Sequence, residues 1–138
     1  MEQTLVLLKP DAIERGLCGQ LIGRIERKGF RIVALKMMLL PHEVALKHYS
    51  EHREKDFFTE LVAFITSGPL AALVVEGDNV VQLMRSIMGA TDPAKAAPGT
   101  IRSDYATSVR YNVIHGSDSL DSAKREIALF FKPEEICH

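Results

Sequence analysis

The stretch Asn112-Val113-Ile114-His115-Gly116-Ser117-Asp118 combines a short apolar strand, a glycine and the start of the last predicted helix. Val113 and Ile114 predict a buried strand, Gly116 allows a close approach of backbone, and the side chains of the Ser117-Asp118-Ser119 run can cap the next helix. An imidazole at a strand end, close to a helix N-terminus, is well placed to meet a phosphate. Most histidines are not catalytic, so this stretch alone leaves His115 either a phosphate-facing residue or a buried structural one.

Predicted strands and helices alternate along the rest of the chain. Apolar and β-branched runs predict strands at residues 4–8, 31–40, 70–75 and 113–117. Apolar residues at helical spacing predict helices at residues 18–28, 43–52, 57–67 and 119–131. A further helix is predicted after Gly77-Asp78, with Val80, Met84, Ile87 and Met88 on its core face. The alternation implies an α/β sandwich in a single domain, residues 1–138, with helices covering one face of the sheet. The periodicity does not decide whether the sheet is parallel or split-antiparallel.

Two segments are less regular. Asp11 begins a variant of the capping box, and it is expected to cap a short helical turn over residues 11–14. Residues 89–106 contain prolines and glycines and no clean period, which predicts a long loop. A loop of that length in a compact domain is usually functional or disordered.

The composition is that of an ordinary globular chain, with 46% hydrophobic and 25% charged residues. The formal net charge of −1 gives no field that favours nucleic acid or an anionic membrane, so an anion site must be built locally. Cys18 and Cys137 lack metal-ligand spacing and suggest a reduced, intracellular protein. The N-terminus lacks signal-peptide architecture and no apolar run reaches the ~18 residues of a membrane span, so a cytoplasmic protein without membrane contact is expected.

The sequence has no glycine-rich loop of the P-loop or dinucleotide-binding type, and no protein-kinase signature. Lys9, Arg85 and Arg102 instead lie at the ends of predicted elements or within the long loop. Each alone is most simply a surface charge, but together they could clamp a phosphate, because guanidinium groups match phosphate oxygens. Glu126 lies at the edge of the apolar stripe of the last helix, where it is either exposed or orients a histidine.

The four other histidines have no comparable context. His42, His48 and His52 lie on or near a charged predicted helix, and His138 ends the chain. We therefore expect all four to be solvated rather than functional.

The 112–118 run closely resembles the active-site signature of nucleoside diphosphate kinases. The resemblance extends over essentially the whole chain, through Leu8-Lys9-Pro10-Asp11, Arg27-Lys28-Gly29-Phe30, Phe57-Phe58, Ser67-Gly68-Pro69, Pro98-Gly99-Thr100-Ile101-Arg102 and Glu126. It implies a ferredoxin-like α/β (α+β) sandwich, in which helices pack on a four-stranded antiparallel sheet. It also implies transfer of the γ-phosphoryl group of a nucleoside triphosphate, mainly ATP, to nucleoside diphosphates through a phosphohistidine. Such ping-pong chemistry would supply the other nucleoside and deoxynucleoside triphosphates.

The resemblance assigns roles to individual residues. His115 matches the nucleophile, and Ser117 and Glu126 match the pair that supports it. The positions that bind phosphates and ribose are matched by Lys9, Tyr49, Arg85, Thr91, Arg102 and Asn112. Among these, Lys9 and Tyr49 are also expected to take part in catalysis, together with His115, Ser117 and Glu126.

The remaining implied features concern the base, the metal and the assembly. Phe57 matches the aromatic residue that stacks on the base and Leu61 lines the same slot, which predicts broad base specificity because stacking tolerates every base. Mg²⁺ is implied as a ligand of the nucleotide phosphates, with Asp118 as its outer-shell contact. The resemblance also implies a homo-oligomer, and the chain ends soon after Pro133, which leaves tetramer and hexamer open. Asp56, where many relatives have proline, departs from the pattern outside the matched catalytic positions.

Two other classes of function stay open. An idle nucleotide-binding or scaffolding module with the same fold would usually have lost the nucleophile or an arginine, and this chain keeps them. A nucleic-acid-binding role is disfavoured by the net charge and by the absence of a basic stripe and of an aromatic RNA-binding pattern.

Overall fold

The structure is a computed structural model that describes residues 1–50, 54 and 56–137. Its strands are β1 Glu2–Leu8, β2 Arg31–Met38, β3 Leu70–Gly77 and β4 Ile114–Gly116. They form one sheet in the spatial order β2-β3-β1-β4, and every pair of neighbours is antiparallel. The expected four-stranded antiparallel sheet is therefore confirmed.

Seven α-helices and one short 3-10 helix, Pro133–Glu135, are present in the described part of the chain. The α-helices are α1 Pro10–Glu14, α2 Cys18–Arg27, α3 His42–His48, α4 Phe58–Ile65, α5 Val80–Met88, α6 Ile101–Tyr105 and α7 Leu120–Phe130. The predicted helix over residues 43–52 thus corresponds to α3, and its last two predicted positions lie outside the described residues.

Helices cover both faces of the sheet. Leu5 and Leu7 pack with side chains of α3, α4 and α7, whereas Val6 and Leu8 pack with side chains of α1, α2 and α5. Alternate residues of a strand point to opposite faces, so the complete burial of these four residues requires cover on both sides. The expectation that helices cover only one face was therefore wrong.

Helix α6 lies in the segment that the sequence predicts as a loop. It begins after Thr100, whose hydroxyl accepts a hydrogen bond from the backbone N–H of Ser103 at 3.3 Å. Ile101 is fully buried in the core. A helix this short is too brief for an apolar period to emerge from sequence, so the prediction of a continuous loop was wrong.

The short strand β4 brings the site together. Among the described strands it neighbours only β1, and this pairing places His115 opposite Leu7. Lys9 follows β1 directly, and its backbone N–H donates to the carbonyl of Val113 at 2.9 Å. The end of β1 and the start of β4 therefore lie side by side, which brings Lys9 close to the segment that carries His115.

The two predicted helix caps have different outcomes. Ser119 caps α7, where its hydroxyl accepts the backbone N–H of Ser122 at 3.0 Å, as the sequence predicts. Asp11 does not cap α1, because Lys9 occupies the N-cap position and Asp11 lies inside the first turn. Its carboxylate instead accepts the backbone N–H of Val113 at 3.1 Å.

The Ser119 cap gives a prediction about stability. Ser119→Ala removes the acceptor at the start of α7, and we expect the free energy of unfolding to fall by about 1 kcal/mol in equilibrium urea denaturation. Ser86→Ala is the control, because the exposed Ser86 hydroxyl bonds the carbonyl of Gln82 within α5, and alanine is the better helix former there. Equal losses of stability in the two variants would contradict the assigned cap.

Candidate active site

A cavity of about 630 Å³ opens beside the end of β1, between β4 and the helices α4, α5 and α7. Its lining includes eleven of the twelve predicted site residues, namely Lys9, Tyr49, Phe57, Leu61, Arg85, Thr91, Arg102, Asn112, His115, Asp118 and Glu126. The twelfth, Ser117, is fully buried and bonds to Glu126. The fold thus gathers side chains that are far apart in sequence around one cavity.

His115 is held by a buried carboxylate. Its Nε2 lies 3.0 Å from Oε1 of Glu126, and the Ser117 hydroxyl donates to the same oxygen at 2.8 Å. Burial opposes ionisation of Glu126, but the hydrogen bonds from His115 and Ser117 outweigh it and lower the pKa of this carboxyl. An ionised carboxylate can only accept, so His115 donates from Nε2 and keeps an unprotonated Nδ1 when the ring is neutral.

Ser117 is itself fixed by the central strand. The backbone N–H of Leu5 donates to the Ser117 hydroxyl oxygen at 3.2 Å, and the Ser117 N–H donates to the Leu5 carbonyl at 3.1 Å. The hydroxyl hydrogen is therefore directed to Glu126. This chain of bonds ties the orientation of the His115 ring to the sheet.

Lys9 is a buried cation beside the cavity. Its ammonium donates to Oδ1 of Asn112 at 2.8 Å, and the Asn112 amide donates in turn to the Thr91 carbonyl at 3.2 Å. Burial, followed by the charge of Arg102, lowers the pKa of Lys9 to about 8. An anion in the cavity would therefore stabilise the charged form of this lysine.

Arg102 is fixed by two backbone carbonyls. Its guanidinium donates to the carbonyl of Gly89 at 3.0 Å and to that of Ile114 at 2.7 Å. Burial, followed by the charge of Arg85, lowers the pKa of Arg102 to about 10. Arg85 also lines the cavity, so several cations face a common space without an equal number of acids. This arrangement suits a polyanion such as a phosphate chain.

The outer part of the cavity is apolar. Phe57 is 44% exposed although it lines the cavity, and Leu61 and Val109 lie in the same lining. An exposed aromatic ring beside aliphatic side chains provides a flat surface on which a base can stack. Tyr49 lies deeper, and burial followed by the charge of Glu126 raises its pKa to about 12, so its hydroxyl stays protonated.

The carboxylates of the lining limit where a hard metal ion could bind. Glu60 pairs with Arg110 and Glu126 accepts hydrogen bonds from His115 and Ser117, whereas Asp118 is an exposed carboxylate at the same cavity. His48, His115 and Glu126 offer three ligand atoms within 4.8 Å of one another, but two of them are nitrogens. Mg²⁺ prefers oxygen ligands and often takes them from phosphates, so Asp118 together with a bound phosphate chain fits this ion best.

Comparisons with known proteins agree with this geometry. The family model for nucleoside diphosphate kinase matches residues 2–136. The chain belongs to this family. A nucleoside diphosphate kinase of Thermus thermophilus is 60% identical over 136 residues, which cover 99% of each chain. The chain is accordingly an enzyme that transfers phosphoryl groups between nucleotides.

Solved structures of nucleoside diphosphate kinases share the fold. The enzyme of Aquifex aeolicus is 44% identical, with a TM-score of 0.95 over 98% of both chains. The enzyme of Halobacterium salinarum, solved in complex with CDP, is 49% identical, with a TM-score of 0.97 over 99% of this chain and 91% of that one. Among the residues described, no helix has the length and apolar character needed to cross a membrane.

His48 is a site residue that sequence reasoning missed in this nucleoside diphosphate kinase. It is 6% exposed, so the expectation that it is solvated was wrong, whereas His42 is exposed as expected. Its ring packs edge-on against those of His115 and Phe130, with centroid distances of 4.8 and 5.4 Å. Ala45 and His48 are both buried and lie three residues apart, a helical spacing that could have revealed this face. His52 and His138 lie outside the described residues.

The electrostatics of His48 are unfavourable for a charge. Burial, followed by the neighbouring charge of His115, lowers the pKa of His48 to about 3, so the ring is neutral near pH 7. Neither ring nitrogen has a hydrogen-bond partner among the described residues. Buried polar atoms without partners cost stability, so His48 is a site at which the kinase fold can be made more stable.

His48→Phe tests this cost. Phenylalanine keeps the packing of the ring and removes both nitrogens, and we expect the free energy of unfolding to rise by about 1 kcal/mol. His42→Phe is the matched control on the exposed start of α3 and should stay within about 0.5 kcal/mol of the wild type. Chemical denaturation measures both, and a clear loss of stability in His48→Phe would mean that the nitrogens are satisfied in solution.

Proposed function

We propose that the chain is a nucleoside diphosphate kinase that uses His115 as its nucleophile and works by a ping-pong mechanism. The observation that carries this proposal is the 3.0 Å contact between Nε2 of His115 and the ionised Glu126, in a cavity lined with cations. The contact leaves Nδ1 with a free lone pair, and a neutral imidazole needs no separate base to act as a nucleophile.

The proposed reaction has two symmetric halves. In the first, the Nδ1 lone pair attacks the γ-phosphorus of a nucleoside triphosphate, mainly ATP, and the bond to the bridging oxygen breaks. The diphosphate leaves with that electron pair, and His115 becomes phosphohistidine. In the second half, a terminal oxygen of another nucleoside diphosphate attacks the same phosphorus, and the imidazole is regenerated.

Glu126 and Ser117 support the proposed nucleophile. The carboxylate fixes the ring and the tautomer, and its negative charge stabilises the positive charge that the ring acquires when it is phosphorylated. Ser117 directs its hydrogen bond to the same oxygen of Glu126, so the carboxylate has one defined position. These two residues thus act through His115.

The remaining lining residues bind the nucleotide in this proposal. Lys9, Arg85 and Arg102 neutralise phosphate oxygens, as phosphoryl transfer requires little besides position and charge. Further phosphate and ribose contacts come from Tyr49, Thr91 and Asn112. Phe57 and Leu61 hold the base by stacking and apolar contact, which supports broad acceptance of bases and a role in supplying nucleoside and deoxynucleoside triphosphates other than ATP.

We propose Mg²⁺ as the metal ion of the reaction. Kinases of this family typically use a divalent metal ion. Mg²⁺ would be held mainly by the nucleotide phosphates, with the exposed Asp118 as an outer-shell contact, and would neutralise the phosphate oxygens during transfer.

The assembly and location are also proposals. β2 is an edge strand that exposes Leu35 and Met37, and Leu39 follows it with 70% exposure. Exposed apolar side chains on a sheet edge favour pairing with another chain, which supports a homo-oligomer, either a tetramer or a hexamer. Cys18 and Cys137 are both free, which supports a reducing, cytoplasmic environment.

Labelling tests the proposed nucleophile. Incubation with γ-labelled ATP and Mg²⁺, without an acceptor, should give protein-bound label that is labile in acid and stable in alkali. His115→Ala should abolish the label, and His42→Ala, at an exposed position, should keep it. Label that persists in His115→Ala would contradict the nucleophile, and nucleotide binding without label in the wild type would favour an idle nucleotide-binding module.

The pKa of Lys9 predicts an alkaline limb in the pH profile. As the pH rises through about 8, the free enzyme loses the Lys9 charge, and kcat/KM should fall because the phosphates lose a cation. Lys9→Arg should move this limb upward, since the guanidinium stays charged. Coupled assays from about pH 6.5 to 9.5 measure this, and an unchanged limb in Lys9→Arg would exclude Lys9 as its source.

A further inference from the structure

Val113 adopts a backbone conformation that β-branched residues rarely take. Its φ is 64°, in the left-handed region. The N–H of Ile114 donates to the carbonyl of Asn112 at 2.8 Å, across two residues, which makes Val113 the centre of a γ-turn. Such strained residues persist only where the surrounding structure holds them, and they cluster at functional sites. This one lies between Asn112 and His115, both of which line the cavity.

The start of α1 holds this turn on both sides. The N–H of Val113 donates to Oδ2 of Asp11 at 3.1 Å, and its carbonyl accepts from the backbone N–H of Lys9 at 2.9 Å. The backbone bond from Lys9 belongs to the main chain, whereas the bond to Asp11 depends on a side chain. Asp11 is therefore the residue whose replacement would release the turn.

The burial of the Asp11 carboxyl is energetically unfavourable. Asp11 is 7% exposed, and burial raises the pKa of its carboxyl, although the charge of Lys9 and the backbone N–H groups of Val113, Asp11 and Ala12 oppose this shift. Its other oxygen, Oδ1, has no hydrogen-bond partner in the part of the chain that the structure describes. Such a buried carboxyl calls for an explanation, because Asp11 neither occupies the N-cap position of α1 nor lines the cavity.

The turn positions several groups of the proposed site at once. The Asn112 side chain, at its start, bonds to the Lys9 ammonium, and the Ile114 carbonyl, at its end, accepts from Arg102. His115 follows directly. A relaxation of Val113 to a negative φ would change the direction of the chain between Asn112 and His115, and small displacements of this kind slow phosphoryl transfer strongly.

We propose that Asp11 is a positioning residue: its carboxylate holds the strained Val113 turn and thereby sets the relative placement of Asn112 and His115. The inference rests on the proposed role of His115. A competing explanation is that Asp11 acts only through its charge, which favours the ammonium form of the nearby Lys9. The two explanations separate when the acceptor oxygen and the charge are removed independently.

Two replacements of similar size separate them. Asp11→Asn loses the charge but keeps an oxygen that can accept the Val113 N–H, and it should retain at least about a third of kcat near neutral pH. Asp11→Leu loses both, and kcat should fall by about tenfold or more. If the two variants lose kcat equally, charge is the cause and the inference is wrong.

A second experiment relieves the backbone strain at Val113. Glycine adopts positive φ without cost, so Val113→Gly in the Asp11→Leu background should recover about fivefold or more of the lost kcat. Val113→Ala in the same background is the matched control, because it removes the same methyl groups but keeps Cβ. Equal recovery by glycine and alanine, or no recovery by folded Val113→Gly, would overturn the inference. Should Asp11→Leu not fold, Asp11→Ala lacks the same acceptor, and the same criteria apply to it.

NMR measurements, which do not need turnover, distinguish a failure of this inference from a failure of the proposed function. In Asp11→Leu, NMR should show faster exchange of the Val113 amide hydrogen and shifted resonances of the His115 ring nitrogens, and Val113→Gly should return those resonances toward the wild type. Unchanged exchange and ring resonances would refute the positioning role. A wild-type protein that forms no phosphohistidine would refute the proposed function instead.

Discussion

The pairing of β4 with β1 is the constraint on which the site depends. Antiparallel partners lie on the same face, so His115 points with Leu7 toward α3 and α7, where His48 and Glu126 lie. A slip of one residue would turn the imidazole to the opposite face. The close packing of Gly116 favours the observed register, because a Cβ there would lie 2.6 Å from the sulfur of Met88 in α5.

The site lowers the stability of the fold that carries it. Several buried polar atoms lack partners among the described residues, including Nε of Arg102 and both nitrogens of His48. The lowered pKa of Lys9 likewise reflects a loss of folding stability, because the fold disfavours the charged form of this lysine. That cost is fully present below a pH of about 8 and disappears as the pH rises toward the ordinary value of 10.5. Two apolar clusters around the sheet offset these costs, and a bound polyanion would relieve the repulsion among the cations.

Features with a strong local cause were predictable from the sequence. The apolar runs located the four strands, and Ser119 identified the start of α7. The positions of Lys9, Arg85 and Arg102 suggested a phosphate clamp, and that of Glu126 a contact with a histidine. The other lining residues were foreseen only through the family resemblance, because spacing does not say which segments meet. Features decided by tertiary packing escaped prediction. Helix α6 is too short to have a period, and the burial of His48 depends on α7 packing over α3. The positive φ of Val113 could not be predicted, because a β-branched residue favours an extended conformation.

The size of the cavity is compatible with the proposed covalent intermediate. A volume of about 630 Å³ is within the range of sites that enclose one small molecule, as donor and acceptor nucleotides that bind in turn would require. In the proposed reaction, the phosphoryl group that waits between the two occupants is stored on His115. The exposed Phe57 lies at the apolar outer part, and the orientation of His115 against Glu126 is fixed from the sheet. Both nucleotides would therefore bind in the same way, with the base at the outer part of the cavity and the terminal phosphate at the imidazole. One set of cations can then serve both halves of the proposed reaction.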